Sequence, residues 1–320
     1  MHFFRLIRPL NLLIIGLTMY GLGWYYESMF LDVPAYGIRS LPFLLLVVST
    51  VIIAAAGNII NDYFDVKADR INKPNRLIIG KFVKRRVAIV SHWGLNLIAF
   101  TMALIISWKL DTFAYLFIHV LTINLLWFYS TNLKRRFLLG NVLIAGLTAT
   151  VPMLVGLYFY QIGKLSTIAE FSGNCFPFGG NYGLKYILFL STGLAIFAFI
   201  LNLAREIVKD MEDVEGDKKL NAQTLPIVMG YQQSGWAVNA ILLLSLIAMM
   251  ILWMAFDRID PFLIAPIIVS ACIVVIALIT VPRAKNRKDY RRINTLIKMA
   301  MIAGLLTPIY WNLIMLYGEI

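Results

Sequence analysis

Charge is what this chain has little of. Only 14% of its 320 residues are charged, against 60% hydrophobic, and the mean hydropathy is +0.77. Soluble domains run nearer to half apolar and about a quarter charged, so an ordinary soluble fold is excluded. Cysteine is almost missing as well. Cys272 falls inside an apolar run and Cys175 in a long loop, so their expected depths argue against a bridge. With three histidines besides, no Cys/His metal-ligand spacing appears. Nothing at the start resembles a cleaved signal peptide, because the first apolar run has no small-residue cleavage site and grades into a full span.

What the chain does have is long apolar runs. A membrane-spanning helix needs roughly 20 predominantly apolar residues, and about nine such runs lie near 10–30, 41–61, 89–108, 112–129, 138–159, 185–206, 234–256, 261–281 and 293–316. The expected fold is all-α: a polytopic membrane protein forming one domain over 1–320, with two diverged four-helix halves and a final helix. The net charge of +12 suggests nucleic acid until its distribution is read. Of the 29 Lys and Arg, all but Arg39, Lys109, Lys164, Lys185 and Arg258 fall on one side of such a topology. By the positive-inside rule the N-terminus is cytoplasmic and the C-terminus external. The basic excess is therefore a topology signal, with a share left for diphosphate or anionic membrane lipids, and no nucleic-acid partner is expected.

The second run ends abruptly in amides and carboxylates, Gly57-Asn58-Ile59-Ile60-Asn61-Asp62-Tyr63-Phe64-Asp65-Val66-Lys67-Ala68-Asp69-Arg70. If its helix continues, Asn61, Asp65 and Asp69 at i, i+4 and i+8 share one face. A row of oxygen ligands favours a hard cation such as magnesium, which shares its other positions with water and phosphate oxygens. Lys67, Arg70, Lys73 and Arg76 interleave positive charge, which suits a diphosphate. The bland reading is a solvated helix end.

A second cluster weighs against the bland reading. The sixth run enters Arg205-Glu206-Ile207-Val208-Lys209-Asp210-Met211-Glu212-Asp213-Val214-Glu215-Gly216-Asp217. Glu206, Asp210, Asp213 and Asp217 fall within about 60° on a helical wheel. Four carboxylates on one stripe repel, Lys209 is placed on another face, and bound metal is the expected relief. Both clusters follow even-numbered spans, so both lie on the cytoplasmic surface. Each also follows the second span of a four-span block, with similar tails, Leu77-Ile78-Ile79-Gly80 and Ile227-Val228-Met229-Gly230. This reads as an internal duplication with the site between its halves.

Other polar positions read two ways. Arg5 and Arg8 are placed as a membrane-surface anchor rather than as ligand contacts. His92 and His119 are read as helix-to-helix hydrogen bonders. Tyr129 and Lys134, at the end of the fourth span, read either as diphosphate contacts or as an aromatic belt with positive-inside charge. Phe64, Phe128 and Tyr129 are candidate walls for a cationic intermediate, or ordinary packing.

The paired motifs resemble those of the UbiA-type intramembrane prenyltransferases, Asn-Asp-x-x-Asp-x-x-x-Asp and Asp-x-x-x-Asp. Here Asn61, Asp62, Asp65 and Asp69 meet the first, and Asp213 and Asp217 the second. The likeness extends from Arg8-Pro9 through the spans, Tyr129 to Lys134 and Gly140-Asn141. It implies that Asn61, Asp65, Asp213 and Asp217 hold two Mg2+ ions bridged by the diphosphate, with Asp69 at or near the site. Arg70, Arg76 and Lys134 would meet phosphate, with Tyr129, Asp62, Asp210 and Lys67 as further substrate contacts. Asn221 and Gln223 stand where many relatives carry Gly and Lys, and Leu77 where many carry Pro, leaving no cation at 223.

Lys209-Asp210-x-Glu-Asp213-x-Glu-Gly-Asp217 and Thr224-Leu225-Pro226 are most similar to the archaeal-type branch, which includes digeranylgeranylglyceryl phosphate synthases. The implied activity moves an isoprenoid chain from an allylic prenyl diphosphate to a lipophilic acceptor, a geranylgeranylglyceryl phosphate-type ether lipid. An aromatic quinone precursor is the alternative acceptor. A secondary transporter is the alternative of another class, but its coupling carboxylates are expected near the membrane midplane, whereas these lie at span ends.

Overall fold

The computed structural model describes residues 2–29, 36–72, 74–165, 183–255 and 262–317. The helices are α1 His2–Leu6, α2 Pro9–Met29, α3 Leu41–Asn72, α4 Arg85–Lys109, α5 Ala114–Thr131, α6 Leu139–Leu165, α7 Lys185–Lys219, α8 Leu225–Val228, α9 Gly230–Ala255, α10 Ala265–Thr280, α11 Arg287–Leu305 and α12 Thr307–Tyr317. Among the described residues no strand forms, only an isolated bridge between Ile79 and Val83. The long loop expected around 160–184 lies mostly outside the described residues, and Cys175 with it.

Eight segments are long and apolar enough to cross a membrane: Leu41–Asn72, Arg85–Lys109, Ala114–Thr131, Leu139–Lys164, Lys185–Lys219, Gly230–Ile251, Ala265–Arg283 and Arg287–Tyr317. The chain is a multi-pass membrane protein. The first expected span is present as the 21-residue α2 but is not among the eight. Asn11, Thr18, Glu27 and three tyrosines dilute its apolar run. Large side chains such as Trp108 and Phe113 are left exposed along the bundle, as lipid-facing surfaces are.

Two helices outrun the membrane. At 1.5 Å per residue, the 32 residues of α3 reach about 48 Å and the 35 of α7 about 52 Å, against about 30 Å of hydrocarbon. The acidic motifs occupy the overhangs. α3 packs along α4 and α5, α6 lies along α7, α7 meets α9 and α11, and α3 also meets α7. An aromatic core holds the end remote from the motifs, where the Tyr25 and Tyr186 hydroxyls lie 2.7 Å apart and Tyr26 donates to Ile187 O at 2.9 Å.

The two histidines tie helices together, as read from the sequence. His92 Nδ1 lies 2.9 Å from Ala56 O, and His119 Nε2 lies 2.8 Å from Ser49 Oγ, so α4 and α5 are both pinned to α3. The two similar tails also share a backbone feature. Gly80 and Gly230 have φ of +86° and +83°, the left-handed region that glycine enters at least cost.

Candidate functional site

The two overhangs are clamped together by one amide. Asn72 Nδ2 donates to Asp213 O at 2.9 Å, and Asn72 Oδ1 accepts from Gly216 N at 2.9 Å. The end of α3 is thereby docked on the turn of α7 that separates Asp213 from Asp217. Gly216 permits the approach, because a Cβ there would lie 2.3 Å from Asn72 Nδ2.

Lys134 stands where the motifs converge. It sits in the 3-10 turn Leu133–Arg135 between α5 and α6. Its Nζ donates to Asn61 Oδ1 at 3.1 Å and makes a short hydrogen bond to Asp65 Oδ2. Burial by itself lowers the Lys134 pKa, but Asp65, Tyr129 and Asp217 outweigh it, and the ammonium is held well above the usual lysine range. Attraction from Asp65 and Asp217 at one ammonium places both motifs around a single point. Gly140 allows this turn its position, since a Cβ there would lie 2.9 Å from Lys134 Cα.

Other cations pair with Asp62, Asp213 and Glu212. Arg8 Nη2 donates to Asp62 Oδ1 at 2.5 Å. Burial lowers the Arg8 pKa, yet Asp62, with Asp65 and Asp69 behind it, raises it overall. Arg8 is thus not the surface anchor expected from sequence, because the chain turns at its left-handed φ of 56° and delivers the guanidinium to α3. Arg287 Nη2 donates to Asp213 Oδ1 at 3.2 Å, and Arg291 donates to Glu212 Oε1 at 2.9 Å. A capping box of Asn286 and Asp289 fixes where α11 begins and so where Arg287 emerges.

Part of the stripe on α7 is met by side chains, and Lys209 departs from the expectation. Arg205 Nη1 and Lys209 Nζ each donate to Glu206 at 2.9 Å, so Lys209 bends to the stripe instead of leaving by another face. Asn141 Nδ2 donates to Asp210 Oδ2 at 2.8 Å. The long lysine stem reaches an i−3 neighbour easily, which a wheel of Cα positions does not show.

Among the described residues no three His, Cys, Asp or Glu side chains converge as a metal site. The donor set is nonetheless suited to Mg2+. Asn61 and Asp65 present oxygens to one cationic group, Lys134, and oxygen is what a hard cation takes. Asp65 is buried, Asn61, Asp62, Asp69, Asp210, Asp213 and Asp217 are half-buried, and Lys67 and Arg70 are exposed. Arg76 belongs to the turn Pro74–Arg76, but its side chain and all of Lys73 lie outside the described residues. Gln223 is exposed, and its backbone N–H donates to Arg135 O at 2.8 Å.

Behind Asn61 a cavity of about 290 Å³ opens between α2, α3, α5, α6, α7 and α11. Arg8, Asn58, Asn61, Tyr129, Arg205 and Lys209 are among its polar lining, and Ile53, Leu126, Leu147, Val151 and Leu305 among its apolar lining. Of the three aromatic wall candidates only Tyr129 lines it. Phe128 is exposed, and Phe64 stacks edge-on against Trp127 with centroids 5.9 Å apart.

Acidic helix ends closing on a shared cation above an apolar chamber, in a multi-pass helical bundle, define an intramembrane prenyltransferase. The chain belongs to the UbiA prenyltransferase family, whose model matches residues 11–302. It is 33% identical over 239 residues to the digeranylgeranylglyceryl phosphate synthase of Thermococcus gammatolerans, covering 73% of this chain and 71% of that one. It is also 33% identical to the synthase of that name from Methanothermobacter thermautotrophicus, covering 81% and 82%. In fold it is similar to a solved digeranylgeranylglyceryl phosphate synthase, with TM-score 0.63, 24% identity and 97% of each chain covered. A UbiA homolog from Archaeoglobus fulgidus bound to GPP and Mg2+ gives a TM-score of 0.57 at 16% identity, with 97% of this chain and 100% of that one covered. The resemblance drawn from the paired motifs is borne out.

Proposed function

We propose that this prenyltransferase alkylates the free hydroxyl of a geranylgeranylglyceryl phosphate-type lipid with an allylic prenyl diphosphate, releasing diphosphate. The observation that carries the reading is Lys134, which bonds Asn61 and Asp65 on α3 while facing Asp217 on α7, at the rim of the chamber. The names of the relatives support the ether-lipid acceptor over an aromatic ring.

In this reading Asn61, Asp65, Asp213 and Asp217 would hold two Mg2+ ions for the diphosphate, with Asp69 beside them. The chemistry bound Mg2+ supplies here is neutralisation of the leaving diphosphate. Lys134 and Arg8 add fixed positive charge at the same rim, worth most where water is excluded. Arg70, Arg76 and Lys67 supply further cations at the end of α3, and Asp62 and Asp210 orient Arg8 and Asn141. Tyr129 closes the chamber wall next to the breaking allylic bond, and the apolar lining keeps water from the carbocation. Residues 1–320 act as one domain in the cell membrane, with the N-terminus and the site cytoplasmic and the C-terminus external.

The test is to incubate purified protein, with Mg2+, with geranylgeranyl diphosphate and a panel of glycerophosphate ethers, phenols and quinone precursors, and to identify products by mass spectrometry. A diether phosphate is the expected product. A prenylated ring in its place would move the chain to the aromatic-acceptor members of its family.

A further inference from the structure

The chamber holds more positive charge than the diphosphate rim accounts for. Arg205, Lys209 and Lys298 line it together with a single carboxylate, Glu206, once Arg8 is matched to Asp62. Glu206 already accepts from both Arg205 and Lys209. Lys298, on α11, donates to the neutral oxygen of Asn11 at 2.7 Å and stands in the repulsive field of Arg205. Arg205 Nη1 is taken by Asn202 and Glu206, but its Nε is buried with no partner. Cations inside a membrane are costly and mark ligand sites, and a buried donor without an acceptor adds to that cost.

Position separates this cluster from the metal motifs. Arg205 precedes Asp213 by eight residues on α7, about 12 Å along the axis, and Lys298 follows Arg287 by eleven on α11, about 16 Å. Arg287 itself touches Asp213, so the two helices carry both cations inward from the rim to one level. Both cations therefore lie deeper in the chamber than the pair of Asp213 and Arg287.

We propose that Arg205 and Lys298 form a second anion subsite that takes the phosphate monoester of the acceptor lipid. The inference rests on the ether-lipid reading above. Among these lining groups three cations face one carboxylate, an excess of two positive charges, and a phosphate monoester carries about −1.5 to −2 at neutral pH. The unpartnered Nε of Arg205 is a donor left for a phosphate oxygen, guanidinium being suited to phosphate, with Lys298 as a point charge. A short glycerol backbone then sets the acceptor hydroxyl between this phosphate and the diphosphate at the rim. The subsite thus selects acceptors that carry phosphate beside the reacting hydroxyl.

The test compares geranylgeranylglyceryl phosphate with its phosphate-free alcohol as acceptors. Wild type is expected to use the phosphate far better, and Arg205→Gln and Lys298→Met are each expected to raise its KM by at least about tenfold. The KM for prenyl diphosphate should stay near wild type, and Arg205→Lys, which keeps the charge, should recover part of the loss. A dead-end acceptor phosphate with its hydroxyl methylated should compete with the acceptor on wild-type protein alone, and its phosphate-free counterpart should not, so the inference stands or falls even if a variant fails to fold. Equal use of the two acceptors by wild type, or variants that raise only the prenyl diphosphate KM, would overturn the subsite. Turnover of ring acceptors alone would instead overturn the ether-lipid reading on which it rests.

Discussion

Asn72 and Gly216 meet so closely that each dictates the other: the amide oxygen of Asn72 accepts the Gly216 N–H at 2.9 Å, and no Cβ fits between them. The contact fixes how α3 lies on α7, and so fixes the spacing of Asp65 from Asp213 and Asp217. Gly216→Ala is expected to force the helices apart at a cost of about 1–3 kcal/mol and to lower turnover. Trimming the neighbour makes room, so Gly216→Ala should cost much less in an Asn72→Ala background. A double-mutant cycle on turnover and thermal stability reads this directly, and simple additivity would show that the clash is not the cause.

The shared charge environment of the two motifs gives a second expectation. Asp65→Ala and Asp213→Ala should each remove most turnover, and the double variant should lose far less than the sum, as groups acting on one leaving group do. Fully additive losses in kcat would indicate two independent sites.

Topology yields a third. In a background with Cys175→Ser and Cys272→Ser, single cysteines replacing the exposed Lys81 and Lys219 should both resist an impermeant thiol reagent added outside intact cells. Labelling of either one places its motif outside, contrary to the positive-inside reading.

The acidic rows were legible because helical periodicity writes itself into sequence: Asn61, Asp65 and Asp69 repeat every four residues, and α3 does continue through them to Asn72. What closes the site was not legible. Asn72 bonds residues more than 140 positions away, and Arg287 reaches Asp213 across 74, so neither leaves a local pattern. Asn72 lies past the acidic row, and Arg287 is one of the many basic residues that the topology argument already explains. Arg8 was assigned to the membrane surface because position before a span predicts that, while its left-handed backbone, which turns it inward, has no signature in a non-glycine residue. Asn141 and Lys298 likewise act through partners on other helices. The count of spans was legible to within α2, whose polar side chains face a packed interior instead of lipid.

Lys134 and Asp65 are in contact yet should fail in opposite ways. Lys134 occupies the oxygens of Asn61 and Asp65 that the proposed function gives to Mg2+, so on that reading it should compete with the ion when substrate is absent and meet phosphate when substrate is present. Lys134→Met removes the competitor. Protein without substrate should then be stabilised by lower Mg2+ concentrations than wild type, seen as a leftward shift in the Mg2+ dependence of Tm, because binding to the native state raises stability by mass action. In turnover the same variant should raise the KM for prenyl diphosphate, with Mg2+ saturating. Asp65→Asn removes a ligand charge instead. It should shift the Mg2+ dependence of Tm and of turnover to higher concentration, and it should lower kcat even where the donor is saturating, because the interaction lost is one with the departing diphosphate. The two dependences are coupled through the shared ligand, so both are measured at fixed donor. If Asp65→Asn kept wild-type Mg2+ activation, the oxygens at the end of α3 would be a counter-ion for Lys134 and not a metal site.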